Sequence, residues 1–176
     1  SVASANALLK ALPLLYSLYN KLFKIIKNYL NQNFETLIPQ WFVNGYKANN
    51  RTYKTGDLTI QTKHNGGSLV IDLIKKRAID FATGKAAGDA LAIYFLRFDI
   101  NDYLEGLDRI ITEYNLFHLV SEDPRYKDGK INKSIRTPYS YKPDISENNN
   151  LEQSAAFFSD NQPDNETIEA DSNIDN

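Results

Sequence analysis

The chain contains no cysteine, so its fold has to be held by apolar packing and hydrogen bonds, with no disulfide and no thiolate-bound metal. The same absence excludes a cysteine nucleophile. Its 176 residues allow one domain of ordinary size with additions at either end. Methionine is also absent and the chain opens on Ser1, which reads as a processed chain or a fragment. The formal net charge of −2 conceals an uneven distribution. From Pro143 to Asn176 there is no Lys or Arg, while Asp144, Glu147, Glu152, Asp160, Asp164, Glu166, Glu169, Asp171 and Asp175 fall there. The body before Pro143 is therefore net basic and is the part suited to face an anion.

Hydrophobic periodicity divides that body. In residues 5–30, Leu8, Leu12, Leu15, Leu18 or Tyr19, Leu22, Ile26 and Tyr29 recur at helical spacing, with Lys10, Lys21, Lys24 and Lys27 mostly between them. Pro13 is expected to bend this helix or to mark its start. The apolar run at 11–19 is too short to span a bilayer, and lysines interrupt the residues after it. A basic amphipathic helix can lie on a membrane surface, but the expectation here is a helix that packs on a core or a partner. No small-residue cleavage site comes after the apolar part, which argues against a signal peptide. Residues 1–33 are thus an amphipathic helix attached to a separate domain.

Residues 34–120 are expected to form that domain. An apolar stretch at 34–42 gives way to turn signals at Asn44-Gly45 and Asn49-Asn50. Short extended segments are expected at 52–54, 58–62 and 68–73, the last two partly alternating as half-buried strands do. His64-Asn65-Gly66-Gly67 is a natural turn. Lys75-Lys76 reads as a hairpin tip, with 77–81 returning. Two helices come after it. Leu91, Tyr94, Phe95 and Phe98 make one face, with Asp89 placed to cap. Leu104, Leu107, Ile110 and Ile111 make another, preceded by Asp102 and Glu105 in capping-box spacing. After about Val120 the composition turns polar and then acidic, so 121–176 is expected to be a largely disordered tail or linker.

Catalytic patterns are scarce. Gly84-Lys85 is followed by Ala86 and lacks the spacing and hydroxyl of a phosphate loop. Asp80 and Asp89 could pair for acid–base or cation chemistry, but turn bonding and helix capping are the simpler roles. His118 lies in an apolar run and reads as a packed histidine. The basic set Lys47, Arg51, Lys54, Lys63, Lys75, Lys76, Arg77 and Lys85, interleaved with Tyr46 and Tyr53, is the informative one. Strand and turn residues of this kind bind single-stranded DNA through phosphate contacts and base stacking.

The run Ala78-Ile79-Asp80-Phe81-Ala82-Thr83-Gly84-Lys85-Ala86-Ala87-Gly88-Asp89-Ala90-Leu91 reads as a strand, a small-residue loop and then Gly-Asp opening an apolar helix. It resembles the second half of the zinc-binding domain at the N-terminus of bacterial and phage DNA primases. The nearer likeness is the degenerate, zinc-free form in phage- and plasmid-type primase–helicase proteins, in which a run like Asp80 to Gly84 replaces the Cys-x-x-Cys knuckle. Upstream, Leu37 to Gly45 resembles the family's lead-in, Arg51-Thr52-Tyr53 its first strand, and Ser68 to Leu73 the strand before the knuckle. Asp102 to Ile111 resembles its final helix. Laid on the zinc-binding form, the ligand positions fall near Thr59 and Thr62 and on Phe81 and Gly84, none of which holds zinc. Gly88 and Asp89 keep the Gly-Asp pair. The resemblance implies a fold that stands without metal, with Phe81, Trp41 and Leu91 filling the space.

These readings give an α+β fold: a small antiparallel sheet packed on helices, a long N-terminal amphipathic helix and an acidic tail. The implied function is that of a noncatalytic accessory module of a mobile-element or phage-type primase or helicase, cytoplasmic and without cofactor. It would contact single-stranded DNA through Arg51, Tyr53, Lys54, Lys63, Lys75, Lys76, Arg77 and Lys85, next to primase or helicase domains. Two alternatives stand beside it: a protein-interaction or structural module that docks through its N-terminal helix, and a truncated gene remnant.

Overall fold

The computed structural model describes residues 2–56, 67–136 and 143–147. The expected strand at 58–62, together with Thr59, Thr62, Lys63 and His64, lies outside them, as do residues 148–176. The architecture is α+β. A 31-residue helix, α1 (Val2–Gln32), runs without a break through Pro13. It stops at Asn33, whose side-chain amide donates to the Tyr29 carbonyl at 2.9 Å. The apolar stretch after it is a helix, α2 (Phe34–Trp41), burying Phe34, Leu37, Ile38 and Trp41.

Among the described residues, six antiparallel strands then form one sheet in simple chain order. They are β1 (Tyr46–Lys47), β2 (Thr52–Thr55), β3 (Leu69–Asp72), β4 (Arg77–Asp80), β5 (Lys85–Ala87) and β6 (Ile145–Glu147). β2, β3 and β4 fall where extended segments are expected. The other three have two or three residues each and carry too little sequence to show a period.

Register decides which side chains share a face. Tyr53, Ile71, Ala78, Ala87 and Ile145 are successive partners across β2 to β6 and face the helices. Those helices are α3 (Ala90–Arg97), α4 (Tyr103–Glu113) and α5 (Phe117–Val120), with the second half of α1 and α2 beside them. α3 is central, with six of its eight residues buried. Both expected caps are made. Asp89 accepts from the Ala92 amide at 2.8 Å, and Asp102 accepts from the Glu105 amide at 3.0 Å.

Polar contacts join the helices at their rims. The Trp41 indole donates to the Tyr114 hydroxyl at 2.7 Å, Tyr94 donates to Glu113 at 2.6 Å, and the Arg97 guanidinium donates to the Trp41 carbonyl at 2.6 Å. The Trp41 and Tyr94 rings meet edge to face, 5.3 Å apart. Trp41 and Leu91 are buried as expected of core fillers. Phe81 is not: its side chain is 44% exposed at the β4–β5 turn.

The chain after Val120 departs from the expected fading of order. A 3-10 turn at Pro124–Gly129 buries Arg125 and Tyr126 against α4. Arg125 grips Asp108 with two nitrogens, at 3.0 and 2.6 Å, and donates to the Ile135 carbonyl at 2.5 Å. Tyr126 donates to the same carboxylate at 3.0 Å. Further on, the Gly88 amide donates to the Asp144 carbonyl at 2.8 Å and β6 closes the sheet on β5. Polar composition hid these contacts because the buried groups are charged ones that satisfy each other.

Candidate nucleic-acid interface

The Asp80 to Gly84 run is a turn. Asp80 accepts from the Ala82 amide at 3.1 Å and from the Thr83 hydroxyl at 2.8 Å, and the Gly84 amide returns to the Asp80 carbonyl at 2.8 Å. Gly84 has φ of +73°, a conformation a side chain would oppose. Gly88 serves a close approach instead, since a Cβ there would lie 1.8 Å from the Asp144 carboxylate. Asp89 caps α3 and ion-pairs with Lys27 at 3.1 Å. The two aspartates therefore carry the local roles of turn bonding and capping. Among the described residues no three His, Asp or Glu side chains gather as a metal site would require. His118 is exposed rather than packed.

The basic residues separate into two groups. Asp72 bonds the Ile74 and Lys75 amides at 3.0 and 2.9 Å, which shapes the β3–β4 turn and puts Lys75 and Lys76 at its tip. Arg77 is the register partner of Asp72, which is in turn the partner of Thr52. The Leu73 amide donates to the Arg51 carbonyl at 2.7 Å. Arg51, Lys75, Lys76 and Arg77 are thus assembled at one end of the sheet from the residue before β2, the β3–β4 turn and the start of β4. Lys75 is exposed and the other three are half-buried.

Lys54 lies on the face away from the helices, in one row with Tyr46, Val70 and Ile79. Lys85 is not part of this group. Ala87 pairs with Ala78, so Lys85 sits about three residue levels, roughly 10 Å, from Arg77 and pairs instead with Glu147.

Tyr53 requires a correction as a stacking residue. It is 5% exposed on the helix-facing side, and its hydroxyl donates to the Phe42 carbonyl at 2.7 Å. Burial pushes its phenol above the usual value. Tyr46 is the aromatic that the fold leaves available, at 50% exposure and directly opposite Lys54. Sequence interleaving named both tyrosines, and only the one-residue alternation of the pleat separates them.

Beside the turn a groove of about 340 Å³ opens between the β3–β4 hairpin and the α1–α2 junction. Asn31, Gln32, Glu35, Thr36 and Lys76 line it together with Phe34, Leu73 and Ile74, and Glu35 ion-pairs with Lys47 at 3.4 Å. A larger cavity of about 660 Å³ beside α4 is a weaker candidate. Its lining holds four acidic and four basic side chains, and the buried pair among them, Asp108 and Arg125, neutralises itself. Such a lining offers an anion no net attraction. No protein-family model, curated protein or solved structure matches the chain.

Proposed function

We propose that the chain is a noncatalytic module that holds single-stranded DNA against one end of its sheet, as an accessory to a primase or helicase of mobile-element or phage type. The observation that carries this reading is the convergence of Arg51, Lys75, Lys76 and Arg77 at the β3–β4 turn, with Lys54 and exposed Tyr46 on the adjoining face. Cations in a row satisfy phosphates, and an exposed ring opposite a lysine offers a platform to a base. Asn31, Gln32 and Thr36 in the groove next to Lys76 add donors and acceptors that a splayed base edge can use. The primase part of the reading rests on the resemblance carried by Ala78 to Leu91, and the DNA part rests on this geometry.

The test is fluorescence anisotropy with a labelled oligothymidylate over a range of salt. Binding should weaken as salt rises, by about −0.7 in the log–log slope for each phosphate neutralised. Lys75→Ala with Lys76→Ala should flatten that slope by roughly 1.4. Tyr46→Ala should cost about 1–3 kcal/mol of affinity with the slope unchanged. Absence of salt-dependent binding, or indifference to all three substitutions, rejects the reading.

A further inference from the structure

The two halves of α1 meet different surroundings. Leu22, Ile26 and Leu30 in its second half are buried, at 2%, 0% and 0% exposure. Lys27 is tied to Asp89, and Lys21 to Glu122. In the first half Leu8 at 64%, Leu9 at 65% and Leu14 at 65% stand in the open, while Leu12 and Leu18 are half-buried. This projecting part, residues 2–20, is about 28 Å long and has a single charge, Lys10. Throughout Val2–Gln32 there are four lysines and no carboxylate.

The projecting half is apolar over more than one side. At 100° per residue, Leu14, Leu18, Leu8, Leu12 and Leu9 succeed one another round an arc of roughly 220°. Only Ser4 interrupts that arc, and Asn6, Lys10, Ser17 and Asn20 share the remaining ~140°. A second copy of the helix would cover a narrow seam and leave Leu9 or Leu14 in water. It would also bring lysines to lysines, with no acid on either helix to pair them. A lipid surface covers a wide arc at once, and an anionic one complements the lysines on the opposite side.

We propose that the projecting half of α1 lies in the surface of an anionic membrane, its exposed leucines Leu8, Leu9 and Leu14 among the acyl chains and Lys10, with exposed Lys24 just beyond it, toward the headgroups. It lies along the surface and does not cross, since no helix of the described residues is long and apolar enough to span a bilayer. The expectation of a packing helix then holds for the second half alone. This inference is independent of the DNA reading, because it uses none of the residues at the β3–β4 turn.

The full chain is mixed with vesicles of phosphatidylcholine containing one quarter phosphatidylglycerol and sedimented. Binding is expected to these vesicles, and to fall at least tenfold on vesicles of phosphatidylcholine alone and on raising salt. Leu8→Asn, Leu9→Asn and Leu14→Asn together should lower binding at least tenfold and leave the melting transition in place, since all three leucines are exposed. A second pair of variants reports depth without loading the helix with polar groups. A dye on Ala11→Cys, on the leucine arc, should shift to the blue with vesicles, and one on Ser17→Cys, on the polar arc, should not. Three results overturn the proposal: no vesicle binding; equal response of the two dyes; or a wild-type dimer in sedimentation equilibrium that the triple variant dissolves, which assigns the surface to a second copy.

Discussion

Lys76 has φ of +54° at the tip of the β3–β4 hairpin, a left-handed conformation that costs a side-chain-bearing residue of the order of 1 kcal/mol. The turn holds it there because Asp72 fixes the two preceding amides. Lys76→Gly should therefore raise stability by about 1 kcal/mol in urea unfolding and at the same time weaken binding of single-stranded DNA. A variant no more stable than the parent would show that the turn carries no strain, and undiminished binding would remove Lys76 from the site. Tyr53 and Lys54 make a related point about adjacency. They are neighbours in the chain, yet the pleat buries one ring beneath the sheet and turns the other side chain to the open face.

Among the elements, the segment at 124–136 adds a buried charge pair to the apolar burial of Tyr126 and the packing of Ile131. Arg125 and Tyr126 both reach Asp108 on α4, and Arg125 is only 5% exposed. Asp108→Ala would leave a buried guanidinium without its counter-ion, a change that costs about 3–5 kcal/mol. Denaturant unfolding should show that loss, and limited proteolysis should then cut first within 127–136. If Asp108→Ala melts like the parent, the pair is not what fastens the segment. α1 shows the converse case, an element whose apolar repeat continues on one side while its environment changes halfway along.

For the molecule as a whole, Tyr94, Tyr114 and Tyr126 are built into the helical rim with their hydroxyls bonded to Glu113, Trp41 and Asp108. Burial, reinforced by hydrogen bonds to Glu113 and Asp108, raises the phenols of Tyr94 and Tyr126 well above their usual value. Burial pushes Tyr114 up to about 12, against the pull of the Trp41 indole. A pKa raised in the folded state means that unfolding releases protons above pH 10. The stability these groups contribute is complete below pH 10 and is lost as pH climbs from 10 toward and past 12. Melting temperature should fall across that range. Phenolate absorbance should show the phenolates of Tyr94, Tyr114 and Tyr126 appearing together with unfolding.

Local chemistry was legible in the sequence. The caps at Asp89 and Asp102, the turn at Asp80 and the hairpin at the Lys75-Lys76 tip rest on bonds between a side chain and backbone a few residues away, so short-range order fixes them. The α+β class followed from periods of helix and strand long enough to count. Tertiary structure alone decided the rest. β1, β5 and β6 exist because neighbouring strands offer free edges to them, and two or three residues carry no period of their own. The choice of Tyr46 over Tyr53, and of the Arg51–Arg77 group over Lys85, came from register, which depends on partners distant in the chain. Leu8 and Ile26 stand on the same side of α1, a whole number of helical turns apart, yet one is 64% exposed and the other buried. One apolar side continues through both halves of α1, and the extent of the domain, which no local pattern encodes, determines where that side meets a core and where it is left open.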